Sequence, residues 1–375
     1  MTRLLREHPV VVLLGARQVG KTTLAHDVAA TFRASHFFDA ESRADHALLA
    51  EPELAFRDKR GLIVVDEVQL VPDVLRSVRV LADRPRKPAR FLLLGSASPE
   101  LAQKTAETLA GRAAFHEIGG FDIEEVGNLE RLWFRGGFPR SYLARNVRAS
   151  DEWRHDFIRT FLERDVPRLG IGVAPRTLER FWAMLAHYHG QILNASELGR
   201  SFAVAHTTVR SYLDLLVGTF VVTELRPWGE NLGKRIVKSP KVYITDSGLL
   251  HALLDVPTPA ALERHPKLGA SWEGFVLGQV LRTLRARSSE RFFWAVHSGP
   301  ELDLLVVSGD RRYGFEFKRT DSPRITSSMK GALELLSLDR LDVVHAGRQT
   351  FDLGPKVRAL AAAEITSRLA PLRKD

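Results

Sequence analysis

The chain has 375 residues, of which 45% are hydrophobic and 26% charged, the composition of an ordinary globular protein. At about 150 residues per domain, this length predicts two or three domains. The sequence has neither the roughly 20 consecutive apolar residues of a membrane span nor a signal peptide, so we predict a cytoplasmic protein with no membrane partner. The absence of cysteine excludes disulfides and thiolate metal sites.

The net charge of +9 and the isoelectric point near 9.9 favour a polyanionic partner, nucleic acid first. Base-composition bias is the alternative explanation, because arginine greatly outnumbers lysine in this chain. Charge alone leaves both explanations open.

Residues 10–24 carry the strongest motif. Five apolar residues predict a buried strand, residues 15–22 fit the pattern G-x-x-x-x-G-K-[ST], and a helical pattern follows. This order predicts a phosphate-binding loop at a helix N-terminus, in which Lys21 reaches the β- and γ-phosphates of ATP and Thr22 ligates Mg²⁺. The residues expected at the nucleotide are Gly15, Ala16, Arg17, Gln18, Val19, Gly20, Lys21, Thr22 and Thr23. Only residues 1–9 precede this strand, so the adenine-binding part is expected to be short or to begin further upstream.

A second buried strand, residues 61–65, ends in Asp66 and Glu67. Carboxylates at the C-terminal end of a parallel strand lie where α/β sheets place their sites. We expect Asp66 to hold Mg²⁺ through water and Glu67 to orient or deprotonate the attacking water. Beside the phosphate loop, the alternative of a strand that merely exits into acidic residues is weak.

Residues 90–98 predict a third buried strand that ends in small polar side chains. Ser96 or Ser98 would then lie between the acidic strand and the γ-phosphate, although a turn or a helix cap before Pro99 explains these serines equally well. Arg112 follows a helical stretch and is a candidate for reaching a phosphate in its own or a neighbouring subunit. A plain surface arginine is the alternative.

Residues 194–222 carry a helix-turn-helix pattern. Strand-like residues 219–225 and 241–245 would supply the wing of a winged helix, a shape that in many proteins binds only protein. If this one binds DNA, the contacts are expected at the first turn of the second helix and in the basic segment before the second wing strand. The candidate residues are Thr207, Thr208, Arg210, Lys234, Arg235 and Lys238, and Lys241 belongs to the same basic segment.

Residues 302–307 and 312–318 predict a hairpin joined by residues 308–311. Pairing Val307 with Arg312 sets Asp303 opposite Glu316 on one face, with Glu301 opposite Lys318. Facing carboxylates repel unless a cation lies between them, and metal-dependent nucleases use such an Asp, Glu-x-Lys set. We expect Asp303 and Glu316 to hold Mg²⁺ or Mn²⁺, Lys318 to steady the attacking water or the developing charge, and Glu273 to add a carboxylate. A solvated hairpin face of mixed charge is the alternative.

Taken together, these motifs resemble the bacterial and archaeal AAA+ ATPases whose ATPase core precedes a C-terminal domain related to PD-(D/E)xK restriction-endonuclease-like proteins. The resemblance rests on residues 15–24, 66–69, 95–98, 109–112 and 136–139, and then on 234–235, 239–243, 246–249 and the Asp303, Glu316, Lys318 set. It implies ATP binding and hydrolysis, a winged-helix middle and a nuclease-like end, and with the candidate Arg112 it implies a homo-oligomer.

The predicted fold class is therefore α/β, with a P-loop NTPase parallel sheet of AAA+ type, a winged-helix region and an α/β endonuclease-like domain. The predicted segments are residues 1–120 for the ATPase core, 121–190 for a helical lid or linker, 191–246 for the winged helix and 247–375 for the nuclease-like domain. The leading functional hypothesis is an ATPase acting on DNA with an Mg²⁺- or Mn²⁺-dependent nuclease domain. The alternative is a nucleotide-driven regulatory switch whose later domains only bind DNA or protein.

Overall fold

The computed structural model describes residues 1–84, 89–96, 105, 107–169, 172–229, 237–297 and 299–373. The chain forms two compact units, Met1–Gly120 with Asp214–Val221, and Phe121–Leu213 with Val222–Asp375. Beyond residue 120, the three predicted segments therefore fall into one unit, apart from the short stretch Asp214–Val221. Within the described ranges, no helix is long and apolar enough to cross a membrane.

The first unit is built on a parallel five-stranded sheet in the order β2-β3-β4-β1-β5. The central strands are completely or almost completely buried along their apolar residues, because helices cover both faces of a parallel sheet. The prediction of a parallel α/β sheet is confirmed. The strands are β1 (Val10–Gly15), β2 (Ser35–Asp39), β3 (Gly61–Asp66), β4 (Ala89–Ser96) and β5 (Ala113–Glu117), and the helices are Thr2–Glu7, Lys21–Ala30, Arg43–Leu48, Pro52–Phe56 and Val74–Ala82, with a 3-10 turn at Val68–Leu70.

The second unit begins with helices and continues into a mixed sheet. The helix Val147–Thr160 passes through a π-helical segment, Phe161–Asp165, before the short α-helix Val166–Arg168. The other helices between residues 121 and 264 are Ile123–Val126, Leu129–Arg135, Pro139–Tyr142, Pro175–His187, Ala195–Phe202, His206–Gly218, Ser247–Leu253 and Pro259–Glu263.

The sheet of this unit has nine strands in the order β13-β14-β12-β11-β10-β9-β7-β8-β6. Its strands are β6 (Gln191–Ile192), β7 (Val222–Pro227), β8 (Lys241–Ile244), β9 (Arg291–Ala295), β10 (Glu301–Ser308), β11 (Arg311–Lys318), β12 (Arg340–His345), β13 (Phe351–Gly354) and β14 (Val357–Ala361). Helices Leu268–Leu284 and Ser327–Leu335 flank the β9–β11 meander in sequence, and Ala362–Glu364 and Ile365–Arg368 end the chain.

The two strands predicted as a wing are part of this same sheet. β7 pairs antiparallel with β8 and parallel with β9, where Arg226 is opposite Phe292. Unpaired strand edges expose N–H and C=O groups, and the β7–β9 pairing satisfies an edge that a free wing would leave open. The pairing also brings β8 into the sheet that contains β10 and β11.

The hairpin β10–β11 has the predicted register. The ladder runs from Ser308–Arg311 to Leu304–Phe315, so the pairing continues one pair into the segment predicted as loop. β12 then lies parallel to β11, with Glu316 opposite Val343 and Lys318 opposite His345.

Two glycine-containing segments named in the resemblance pack against each other in this unit. Gly136 combines a positive φ (77°) with an extended ψ (177°), a conformation essentially restricted to glycine, and a Cβ atom there would collide with the carboxylate of Asp246. Asp246 accepts the N–H of Gly137 at 2.7 Å and caps the helix Ser247–Leu253 through the N–H of Leu249 at 2.9 Å. These segments therefore have a structural role in the second unit.

Candidate active sites

The phosphate loop joins the end of β1 to the start of the helix Lys21–Ala30. Gln18 (φ 60°) and Gly20 (φ 105°) both have left-handed backbones, which turn the chain sharply into the helix. Among the described residues, no side chain caps the first turn of this helix, and no residue of that first turn is acidic. Its free N–H groups and positive dipole end are therefore suited to an anion such as a phosphate.

Lys21 lies over this loop with only 5% of its surface exposed. Its Nζ donates to the carbonyl oxygens of Gly15 and Ala16, at 3.0 Å each. Burial lowers the pKa of Lys21, and the nearby carboxylates of Glu67 and Asp66 oppose that shift. A phosphate entering the loop would give this buried ammonium a charged partner in place of two carbonyls.

Thr22 and Asp66 meet at the C-terminal edge of the sheet. The hydroxyl of Thr22 donates to Asp66 Oδ2 at 2.6 Å, and Asp66 Oδ1 accepts the N–H of Glu67 at 2.9 Å. Burial raises the pKa of Asp66, and the hydrogen bond from Thr22 partly offsets that shift. A hydroxyl and a carboxylate beside a phosphate loop are hard oxygen ligands that suit Mg²⁺.

Glu67 follows with an unusual backbone conformation for a non-glycine residue, φ 52° and ψ 46°. Its carboxylate accepts a hydrogen bond from the side-chain amide of Gln69. The backbone and Gln69 therefore both restrict where the Glu67 carboxylate can point.

β4 lies between β1 and β3, and Ser96 at its end is paired with Gly15. The side chain of Ser96 and all of Ser98 lie outside the described residues. Arg112 forms an ion pair with Asp83 within the first unit: its Nε donates to Oδ1 at 2.7 Å and its Nη2 donates to Oδ2 at 2.8 Å. Arg17 is paired with Glu41 at 3.3 Å.

The carboxylates of Asp303 on β10 and Glu316 on β11 are both buried, with 5% and 4% of each residue exposed. At Asp303 and Glu316 this burial contradicts the alternative of a solvated hairpin face, whereas Glu301 and Lys318, predicted for the same face, are exposed. Asp303 Oδ2 accepts the N–H of Phe317 at 3.2 Å, and Glu316 Oε2 is 3.0 Å from the ammonium of Lys318. The hairpin thus brings together the three residues predicted for it.

Two further charged groups, from outside the hairpin, complete this group of side chains. We call it the carboxylate–lysine cluster, and its members are Asp303, Glu316, Lys318, Glu273 and Lys241. Glu273, on the helix Leu268–Leu284, accepts the hydroxyl of Tyr243 at 2.7 Å. The Nζ of Lys241 is 3.4 Å from Asp303 Oδ1 and 3.8 Å from Glu273 Oε1. The sequence analysis placed Lys241 in a basic segment with the candidate DNA contacts, whereas the residue is buried, with only 4% of its surface exposed. The one local signal was its position at the start of an otherwise apolar strand, Val242–Ile244.

Burial and the neighbouring charge of Asp303 raise the pKa of two carboxyl groups in this cluster. The pKa of Glu316 rises to about 8 and that of Glu273 to about 7. The lysines Lys318 and Lys241 oppose these shifts, yet desolvation outweighs them at both glutamates. A nearby cation would stabilise the ionised forms.

As they stand, the cluster's carboxylates do not form a three-ligand metal cage. In the part of the chain that the structure describes, no group of three or more His, Asp or Glu residues is arranged to hold a metal ion. Glu273, predicted as an additional ligand, instead has Tyr243 and Lys241 as its partners. One atom does fit a missing cation: Glu316 Oε1 is buried and has no hydrogen-bond partner among the described residues.

The predicted DNA-contacting residues begin the helix His206–Gly218. A three-residue turn with a left-handed Ala203 separates it from the helix Ala195–Phe202. Thr207 is exposed and Thr208 is half-buried, while the guanidinium of Arg210 makes two hydrogen bonds to Glu224 on β7, at 2.7 and 2.9 Å. Lys238 is exposed, and Lys234 and Arg235 lie outside the described residues.

Three family models match the chain in succession. An AAA domain matches residues 7–127, a domain of unknown function (DUF8612) matches residues 126–260, and a second (DUF4143) matches residues 268–365. The AAA domain contains the phosphate loop and the Asp66–Glu67 strand end. The carboxylate–lysine cluster draws Lys241 from the DUF8612 region and its other members from the DUF4143 region.

Two mycobacterial proteins are similar over nearly the whole chain. They are the uncharacterized proteins Rv2008c of Mycobacterium tuberculosis and Mb2031c of Mycobacterium bovis, each 48% identical over 367 residues, covering 97% of this chain and 82% of the relative.

Two solved structures also align, at low TM-scores. RuvB of Thermotoga maritima aligns at a TM-score of 0.27 and 17% identity, over 57% of this chain and 80% of RuvB. A structure of Drosophila ORC bound to AT-rich DNA and Cdc6 aligns at a TM-score of 0.22 and 11% identity, over 68% of this chain and 88% of that chain.

The AAA domain and its phosphate-loop geometry assign ATP hydrolysis to the first unit, and enzymes of this class use ATP with Mg²⁺. The chain belongs to the family of Rv2008c and Mb2031c, and it is an AAA-type ATPase with a C-terminal domain of unknown function.

Proposed function

We propose that this ATPase acts on DNA and that its second unit contains a nuclease site dependent on one divalent metal ion, Mg²⁺ or Mn²⁺. The observation that carries the proposal is the buried pair Asp303 and Glu316, with the unpartnered Glu316 Oε1 and the ammonium of Lys318 beside it. Burying two like charges is costly, and a cation that both carboxylates share would offset that cost.

In the proposed reaction, Asp303 and Glu316 would hold the ion. A bound divalent ion supplies Lewis-acid polarisation of a phosphoryl oxygen. Lys318 contributes a positive charge at Glu316 Oε2, and because its side chain is 44% exposed it can approach a DNA phosphate from the solvent side. There it would stabilise the negative charge that develops on the phosphate during attack by water.

For DNA binding, the proposal relies on the net charge of +9 and on the paired helices Ala195–Phe202 and His206–Gly218. Among the described candidates, Thr207 and Lys238 are exposed. To bind a DNA phosphate, Arg210 would have to give up its ion pair with Glu224. We therefore expect it to contribute less to the affinity for DNA than its formal charge suggests. For Arg112, a role toward ATP in a neighbouring subunit of a homo-oligomer would likewise require release from Asp83.

A second candidate is the nucleotide-driven switch, in which the second unit binds DNA or protein without cleaving it. The observation that favours it is that both oxygens of Asp303 already have partners, Lys241 and Phe317. In this case the carboxylate–lysine cluster is a structural feature of the sheet and has no catalytic role.

The test is to incubate the full-length protein with single- and double-stranded DNA in Mg²⁺ or Mn²⁺, together with Asp303→Asn and Lys318→Ala. Asp310→Asn is the matched control, because this exposed carboxylate lies in the turn of the same hairpin. Cleavage by the wild type and by Asp310→Asn that both site variants lose supports the nuclease. Salt-sensitive DNA binding without cleavage under any metal condition supports the nucleotide-driven switch instead.

A further inference from the structure

Lys241 makes the carboxylate–lysine cluster unusual, because it is a buried ammonium that enters from a different part of the sheet. It begins β8, which pairs with β6 and β7, and β7 joins β9 next to β10. Its side chain is 6% exposed, and its Nζ lies 5.6 Å from the centre of the Phe293 ring. A buried lysine in such surroundings is stable only with charged partners.

Those partners are two carboxylates on different elements. Lys241 Nζ is 3.4 Å from Asp303 Oδ1 and 3.8 Å from Glu273 Oε1, so the ammonium bridges β10 and the helix Leu268–Leu284. Tyr243, two residues along β8, donates to the same oxygen of Glu273. On the Asp303–Glu273 side of the cluster, a cation of the protein itself therefore already balances one of the two carboxylate charges.

The opposite side has a different balance. Glu316 has one oxygen beside Lys318 and the other buried without a hydrogen-bond partner among the described residues. With every group ionised, three carboxylates face two ammonium groups, which leaves one negative charge. One divalent ion converts this to one positive charge, whereas a second would leave three positive charges in a mostly buried cluster, which desolvation strongly disfavours.

We propose that Lys241 acts as a permanent internal cation between Asp303 and Glu273, so that the second unit binds one divalent ion, at Asp303 and Glu316, where two would otherwise bind. Lys241 is thus a positioning residue that sets the metal stoichiometry and leaves Glu273 without a metal to ligate. This inference rests on the metal site proposed above, and it extends that proposal to the number and place of the ions.

The test is Mn²⁺ binding by calorimetry to nucleotide-free, full-length protein, with Asp66→Asn in every sample to remove metal binding at the phosphate loop. The wild-type cluster should bind one Mn²⁺, and Asp303→Asn should lose it. Lys241→Met, which keeps the length of the side chain but removes its charge, should bind a second Mn²⁺ or bind the first at least about tenfold more tightly. Lys238→Met removes the same charge from an exposed position in the same segment and should behave as the wild type.

A second readout keeps the test informative if Lys241→Met folds poorly. Without its ammonium, Asp303 and Glu273 repel, so Mn²⁺ should raise the unfolding temperature of Lys241→Met or Lys241→Gln more than that of the wild type. Lys241→Arg, which retains the charge, should keep the wild-type stoichiometry.

The outcomes separate the two proposals. Unchanged Mn²⁺ stoichiometry, affinity and stabilisation in both neutral variants would overturn the role of Lys241, as would a wild type that binds two ions or none at Asp303. Suppose that the wild type binds one Mn²⁺, that Asp303→Asn loses it, and that neutralising Lys241 strengthens or adds Mn²⁺ binding, while the protein does not cleave DNA. This result would support the role of Lys241 and overturn the nuclease.

Discussion

The hydroxyl of Thr22 and the carboxylate of Asp66 are hydrogen-bonded at 2.6 Å, although they come from the phosphate loop and from the end of β3. This contact places two oxygen ligands together at the sheet edge, and we expect Mg²⁺ to bind there with ATP. Thr22→Val should weaken Mg²⁺–ATP binding by about tenfold or more and leave metal-free ATP binding unchanged. Titration of a fluorescent ATP analogue with and without Mg²⁺ measures both, and Thr22→Ser should restore the wild-type value.

Glu67 is expected to position or deprotonate the attacking water. Glu67→Gln should therefore retain ATP binding and lower kcat by about 10²- to 10⁴-fold. Gln69→Ala removes the amide that restrains the Glu67 carboxylate, so kcat should fall with little change in KM. Steady-state hydrolysis assays test both variants. A Gln69→Ala enzyme with wild-type kcat would show that the hydrogen bond does not control Glu67.

Buried histidines should make the second unit sensitive to acid. The pKa of His251 is lowered to about 3, chiefly by burial, and that of His189 is also lowered to about 3. The unfolded chain binds protons at these groups below their ordinary pKa of 6.5, whereas the folded chain does not until about pH 3. The contribution of these histidines to the free energy of unfolding is therefore fully retained above pH 6.5 and falls as the pH drops from 6.5 toward 3, by about 1.4 kcal/mol per pH unit for each histidine. The raised pKa values of Glu316 and Glu273 act in the opposite direction between pH 4.5 and about 8, so the histidine effect has to be measured as a difference between variants.

Tryptophan fluorescence can follow this unfolding, because all six tryptophans come after residue 120 and lie in the second unit. Urea midpoints measured between pH 4.5 and 7.5 give the contribution of His251 as the difference in stability between the wild type and His251→Gln, and this difference should shrink as the pH falls below 6.5. His155→Gln is the control, since the side chain of His155 is 49% exposed. Equal slopes in His251→Gln and the wild type would mean that His251 becomes protonated within the folded protein.

The close approach of Gly136 to Asp246 predicts a large loss of stability on adding one methyl group. Gly136→Ala imposes on alanine a backbone (φ 77°, ψ 177°) that is essentially restricted to glycine and drives its Cβ into the Asp246 carboxylate, so the free energy of unfolding should fall by about 3 kcal/mol or more. Gly127→Ala has a left-handed backbone (φ 67°, ψ −13°) that alanine adopts at lower cost and no atom within 4 Å of the added Cβ, so it should cost only about 1 kcal/mol. Similar losses in the two variants, measured by tryptophan fluorescence, would contradict this role of Asp246.

Local sequence patterns predicted the features that depend on one element and its neighbour along the chain. The strand before Gly15, the acidic end of β3 and the register of the hairpin that bears Asp303 and Glu316 all follow from apolar runs and period-two alternation. Such patterns could not predict the order of the strands in the nine-stranded sheet. Nothing local indicates that β7 pairs with β9, which brings Lys241 into the cluster, or that Glu273 has Tyr243 as a partner.

We propose that ATP hydrolysis in the first unit serves work on DNA. The most direct measurement is the rate of ATP hydrolysis in Mg²⁺ with increasing DNA, for the wild type and for Lys21→Ala. We predict hydrolysis by the wild type that DNA stimulates in a salt-sensitive manner, and none by Lys21→Ala at any DNA concentration. A wild-type rate that DNA leaves unchanged at low salt would contradict the coupling, and normal hydrolysis by Lys21→Ala would contradict the ATP site itself.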